Sequence, residues 1–245
     1  MKTMTRALVL AAVIALPASG FAQPSIESIL SNTARPQADR DRDASSQPAR
    51  VLAFFDIGPG DHVADLLAGG GYLTRILVPL VGANGRVYSG NNPFFAGFFG
   101  EAFDALLNER GFEGVIRIDA PVDALPLPGN ATLDAVIVSQ AYHDLVLGDE
   151  DRGRMNRAVL AALKPGGVYG VIDHAAAPGT GTSSTESLHR IDKQFVIDEI
   201  ESAGFELAAE AYFLSNPNDD HSVMIFDPTM RGQSDRFVLR FEKPR

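Results

Sequence analysis

The stretch "VADLLAGGGYLTRILVPLVG", Val63 to Gly82, sets an acidic residue and three consecutive glycines ahead of a long apolar run. "HVADLL" has the character of a short buried strand ending at Asp65 to Leu67, Gly69 to Gly71 form a turn, and "YLTRILVPLVG" opens a helix. The free N–H groups of that helix point at whatever lies beyond the strand. Glycine has no Cβ, so a ligand can approach the turn closely. A tight turn needing positive φ would account for three glycines equally well, and the acid decides between the two readings. Asp65 repels a pyrophosphate and attracts an ammonium or sulfonium, so the ligand expected here is cationic at this end.

On either side of the loop the chain keeps a regular alternation. "RVYSG", "VIRID", "DAVIVS" and "VYGVID" are short apolar or β-branched runs, separated by helical patterns or turns rich in Gly and Pro. "PARVLAFFD" has helical spacing after Pro48, a residue that suits a first turn. Strands alternating with helices predict a parallel sheet covered on both faces, with the ligand in a crevice outside the carboxyl ends of the strands. In "NPFFAGFFGEAFDALL", Phe94, Phe95, Phe98 and Phe99 are spaced as the core face of the second helix. The tail from Phe205 reads as two strands joined by residues 216–235, a connection too long for a plain hairpin and expected to cover the site as a lid.

The N-terminus reads as an address. Lys2 and Arg6 precede an apolar run from Ala7 to Leu16 and small residues ending at Ala22, the pattern of a secretory signal peptide cleaved after Ala22. The run is far shorter than the ~20 residues of a membrane span, so no stable membrane anchor is expected, and the expected location is periplasmic or secreted. The chain has no cysteine, hence no disulfide framework and no lipid-bearing cysteine. Without Lys2 and Arg6 there remain 19 basic against 31 acidic residues, a net charge of −12 with no basic cluster. Nucleic-acid binding relies on such clusters, so a small-molecule substrate is expected instead. Residues 23–47, which include "RPQADRDRDASSQPAR", read as a charged helical or linker segment ahead of one α/β domain spanning 48–245.

"DLLAGGG" resembles the first motif of the class I S-adenosylmethionine-dependent methyltransferases, in which an acid and a glycine-rich turn receive the methionine part of the cofactor. The usual first glycine is Leu67 here. "GRVYSGNNP" is similar to the family's second strand, whose terminal acid would meet the ribose and is Asn91 in this chain. "DAPVDALPLPGNATLDAVIVS" is similar to the third and fourth segments, with Pro121 at the common acid of the adenine turn and Asp119 and Asp123 on either side. "LKPGG", Leu163 to Gly167, matches the turn before the fifth strand. The resemblance covers Pro48 to the C-terminus. It implies a doubly wound Rossmann-like seven-stranded sheet of order 3-2-1-4-5-7-6 with an antiparallel C-terminal strand. It also implies S-adenosyl-L-methionine as cofactor, held by Asp65, Ala68, Gly69, Gly70, Gly71, Asn91, Val122, Asp123 and Gln140. More narrowly, "RPQADRDRD", "AGGGYLT", "YHD", "HRID" and "FDPTMRGQSDRFVLRFEKP" are similar to a bacterial group of exported methyltransferases.

Chemistry is expected beyond the ends of the fourth and fifth strands, where Tyr142, His143 and Asp144 follow one and Asp173 and His174 end the other, with His189 and Arg190 at the start of a later helix. Methyl transfer is an in-line displacement helped by positioning and by removal of the acceptor's proton. His143 is the expected base, oriented by Asp144 or Asp173, with His174 as alternate and Tyr142 and His189 shaping the acceptor site. A divalent metal on Asp144, Asp173 and the histidines is the second possibility, but their spacing matches no compact ligand motif and no metal is expected. An exported chain would reach its compartment without cofactor. The rival reading is therefore a non-catalytic periplasmic binding protein that keeps the scaffold for another nucleoside-like or metabolite ligand. A hydrolase is disfavoured, because no serine sits in a nucleophile elbow.

Overall fold

The computed structural model describes residues 23–148 and 150–245, so the expected leader and its cleavage point lie outside the described residues. Seven strands form one sheet, β1 (His62–Leu66), β2 (Arg86–Gly90), β3 (Ile116–Arg117), β4 (Leu133–Ser139), β5 (Leu163–His174), β6 (Glu206–Ala211) and β7 (Arg236–Glu242). Their order is β3-β2-β1-β4-β5-β7-β6, with β7 antiparallel to both neighbours and the other pairings parallel. This is the class I methyltransferase fold, as expected.

Alternation along the strands divides the core in two. Ala64, Leu66, Val136, Val138, Tyr169 and Val171 face one layer, where they meet α6 (Arg152–Ala162) and α8 (Lys193–Ser202) through Met155, Val159, Ile197 and Ile200. Val63, Ala135, Ile137, Val168 and Ile172 face the other, against α3 (Pro48–Phe54) and α4 (Tyr72–Val81) through Val51, Leu52, Leu73, Ile76 and Leu77. The sheet is thus buried on both faces, and the strand ends are what remains open to a ligand. Among the described residues no helix is long and apolar enough to cross a membrane.

Three expectations change. β3 is only two residues long, an exposed edge strand, although Ile118 just beyond it is buried. In α5 (Pro93–Leu107) the buried side chains are Phe95, Phe103 and Leu106, while Phe94, Phe98 and Phe99 are 48%, 72% and 41% exposed. At 3.6 residues per turn, Phe95 and Phe99 lie on the face that continues to Phe103, whereas Phe94 and Phe98 sit about a quarter-turn or more away from it. The i, i+3, i+4 reading merged two faces of a helix that is apolar on most sides.

The third concerns the charged segment before Pro48, which is helical, as one of its two readings had it, and is tied to the body by a few buried residues while most of its surface is exposed. It forms α1 (Ile26–Leu30) and α2 (Gln37–Ser46). Arg35 is buried and grips Asp43 through both guanidinium nitrogens at 2.6 and 2.8 Å, and Asp43 also accepts from the Tyr72 hydroxyl at 2.8 Å. Arg236 of β7 donates to the Ser45 carbonyl at 2.7 Å, and Gln47 donates to the Phe213 carbonyl at 2.6 Å. Opposite charges satisfied within the fold look, in composition alone, the same as charges facing water.

Candidate active site

The crevice beyond the carboxyl ends of β1, β4 and β5 is lined by Asp65, Leu67, Ala68, Gly69 and Gly70 on one side and by Gln140, His143, Asp144 and His174 on the other. Gly71 caps α4 at φ +85, and a Cβ there would sit 2.1 Å from Leu106 Cδ2, so glycine is required at that position. Leu67, where the family has its first glycine, holds φ +56 with its side chain buried. The left-handed backbone explains the family's glycine, and Leu67 tolerates it at a cost of about 1 kcal/mol set against burial of its side chain. Gln140 (φ +57), also in the lining, is left-handed too, as is His189 (φ +52), which packs on the lining residues Asp144 and Phe226.

Asp65 is fully buried. It accepts from the Thr74 hydroxyl at 2.6 Å, and that hydroxyl in turn lies 2.7 Å from Ser89 Oγ. Burial raises its pKa to about 6 against the opposing effect of the Thr74 hydrogen bonds. Asn91 is turned to the glycine loop. Its Oδ1 accepts from the Gly69 N–H and its Nδ2 donates to the Gly69 carbonyl, both at 2.9 Å. The amide expected to meet the ribose is therefore engaged in holding the turn. Val122 and Asp123 form a short 3-10 turn away from the crevice lining, with Val122 in the core.

Tyr142, expected beside the acceptor, is not among the residues that line the crevice. Its ring is buried, and its hydroxyl donates to Glu199 at 2.6 Å and accepts from Asn156 at 2.8 Å. The chain turns between Tyr142 and His143, so only the second side chain returns to the crevice.

His143, Asp144, Asp173, His174 and His189 do converge. The buried Asp173 carboxylate accepts from the His143 N–H at 2.7 Å and the His174 N–H at 2.8 Å, and holds His143 Nδ1 at 2.7 Å. Asp144 lies between two imidazoles, 3.3 Å from His143 Nε2 and 3.1 Å from His189 Nδ1. Burial works against a charged His143 ring, but the carboxylates of Asp173 and Asp144 outweigh it and bring its pKa to about 10. The same two carboxylates thus favour a positive charge at this position. His174 is pushed well below the ordinary histidine value by burial and by the positive groups around it, and its Nδ1 meets Ser234 Oγ at 2.7 Å.

Sequence reasoning missed three contributors. Arg42 reaches the crevice from α2, its guanidinium 4.3 Å over the Tyr72 ring. Ile225 and Phe226, from the connection between β6 and β7, close the crevice from above, with the Phe226 ring 4.8 Å from that of His189. The apolar pair in "VMIFD" inside a polar connection was the available signal.

Strand order, glycine turn and crevice together define a class I S-adenosylmethionine-dependent methyltransferase scaffold. No protein-family model matches the chain. It is 27% identical over 180 residues to the ubiquinone/menaquinone biosynthesis C-methyltransferase UbiE of Stenotrophomonas maltophilia, covering 71% of this chain and 67% of that one. The crystal structure of a SAM dependent methyltransferase from Aquifex aeolicus superposes with a TM-score of 0.60 at 17% identity, over 89% of this chain and 98% of the other. That of the cyclase SpnF gives 0.59 at 19% identity, over 87% and 85%. The chain therefore has the class I S-adenosylmethionine-dependent methyltransferase fold, and over 180 residues its sequence is similar to a C-methyltransferase.

Proposed function

We propose that this protein transfers a methyl group from S-adenosyl-L-methionine to a small, largely apolar acceptor. The observation that carries the reading is that one crevice joins an anionic glycine turn to a His/Asp cluster. The first fits the cofactor's ammonium and sulfonium, and the second fits the polar end of an acceptor. Phe95, Phe99, Ile225 and Phe226 supply apolar walls, and the exposed rings of Phe94 and Phe98 pack against Phe95 and Phe99. The UbiE relative, a C-methyltransferase by name, agrees with an apolar acceptor. Residues 1–22 fit a leader, which would make the acceptor an envelope molecule.

The rival reading, a binding protein on the same scaffold, draws on Asn91, which is turned from the ribose side toward Gly69, and on SpnF, named a cyclase on this fold. Calorimetric titration with S-adenosylmethionine and S-adenosylhomocysteine tests the two together with His143→Ala. Micromolar binding of both nucleosides is expected. His143→Ala should leave that affinity within a factor of about three and lower methyl transfer by about 10² or more. Absence of nucleoside binding would discard the methyltransferase reading, and unchanged turnover in His143→Ala would remove His143 from it.

A further inference from the structure

We propose that His143 Nε2, Asp144 and His189 Nδ1 form a binding site for a divalent transition-metal ion, open on one side to the crevice. The three donors come from two separate loops and lie within 4.8 Å of one another. Asp144 is 3.3 Å from one imidazole nitrogen and 3.1 Å from the other. A tetrahedral ion with bonds of about 2.0–2.1 Å sets neighbouring donors roughly 3.3 Å apart, so the two spacings to Asp144 need little adjustment, while the two imidazole nitrogens, within 4.8 Å of each other, close in as the ion binds.

A second observation is independent of the spacing. His143 Nε2 is buried and makes no hydrogen bond of good geometry, its neighbour being the Asp144 carboxylate at 3.3 Å. Buried polar atoms are nearly always paired, and one left without a partner marks either strain or an unseen ligand. The other nitrogen of the same ring is fixed by Asp173, which is itself held by two backbone N–H groups. A carboxylate behind a histidine is the arrangement that orients an imidazole toward a metal and raises its donor strength. Asp173 is therefore an orienting group rather than a ligand.

Two imidazoles and one carboxylate favour zinc, iron(II) or cobalt(II) over magnesium or calcium, which take oxygen donors. Three protein donors leave a position free, and two of them, His143 and Asp144, line the crevice together with Gln140, Ile225 and Phe226. Joined to the methyl-transfer reading, on which this last step rests, the ion would bind an acceptor hydroxyl and ease loss of its proton to solvent. The acceptor then bonds to the methyl carbon as the sulfur–carbon bond breaks, releasing S-adenosylhomocysteine. The metal site itself does not depend on that reading.

The test uses the full chain, stripped with chelator and titrated with Co²⁺. A visible absorption band of low-symmetry Co²⁺ is expected, displaced by Zn²⁺, together with a Zn²⁺-dependent rise in thermal midpoint. His189→Ala, at a half-buried position, and Asp144→Asn should each weaken binding by about ten-fold or more. His221→Ala, beside Asp235 and outside the cluster, should bind as the parent does. No band and no Zn²⁺ stabilisation in the parent would overturn the proposal, as would binding unchanged in His189→Ala and Asp144→Asn. A parallel titration with S-adenosylhomocysteine separates the two readings. Metal without nucleoside binding keeps this site and removes methyl transfer, and nucleoside without metal binding does the reverse.

Discussion

Asp65→Asn is expected to stabilise the ligand-free protein at neutral pH and to weaken S-adenosylmethionine binding by ten-fold or more. The first effect follows from linkage. Burial lifts the Asp65 pKa from 3.8 to about 6, so the folded state prefers the protonated acid. Its stabilising contribution is complete below pH 3.8 and is lost as pH rises through about 6. Holding the carboxylate ionised at pH 7 therefore costs on the order of 3 kcal/mol. Asn has the same shape, keeps an oxygen for the Thr74 hydroxyl and removes the charge. At pH 7 the variant should melt several degrees higher, with the gain vanishing near pH 3.5. The second effect has the opposite sign, because the cofactor's ammonium loses its anion. In the parent, cofactor affinity should fall as pH drops below about 6, and in Asp65→Asn it should be flat across that range. Thermal denaturation and calorimetry at pH 4, 6 and 8 read both effects. A melting point that does not rise would show that burial does not hold the carboxyl toward its neutral form, and an affinity indifferent to the substitution would remove Asp65 from the cofactor site.

That trade between stability and ligand marks what was legible in the sequence. β2 was read to the residue, because "RVYSG" ends where a short strand-like run meets Asn and Pro, and the crevice followed from Asp65, Gln140 and His174 lying at or just beyond the ends of their strands. What escaped was side-chain direction and long-range pairing. Tyr142 and His143 are adjacent, yet one anchors the core through Glu199 and the other faces the crevice, a difference set by a 3-10 turn that spacing does not announce. Arg42 looked like one charge among many until α2 docked on Tyr72. The His/Asp cluster had no motif spacing, because its members come from two loops that only the sheet brings together.

Arg190→Ala should cost about 3–5 kcal/mol and loosen the cover of the crevice. Arg190 is wholly buried, and its guanidinium meets Asp219 at 2.8 and 3.1 Å and the carbonyls of Ala175 and Val223 at 3.0 Å each. Asp219 also accepts the N–H groups of His221 and Asp235, so this one pair ties both ends of the 216–235 connection to the loop after β5. Removing the cation leaves a buried carboxylate with no counter-charge, the costly half of a broken ion pair. Lysine cannot reproduce a fork that reaches a carboxylate and two carbonyls at once, so Arg190→Lys should recover little. Arg190→Met combined with Asp219→Leu removes both charges and should recover much of the loss. The functional consequence follows from position, since Ile225 and Phe226, which close the crevice, hang from the same tie. Arg190→Ala should melt roughly 6–20 °C lower, become sensitive to protease between residues 216 and 235, and raise the acceptor KM more than that of the cofactor. An Arg190→Ala protein as stable and as protease-resistant as the parent would show that the connection holds its place by other means.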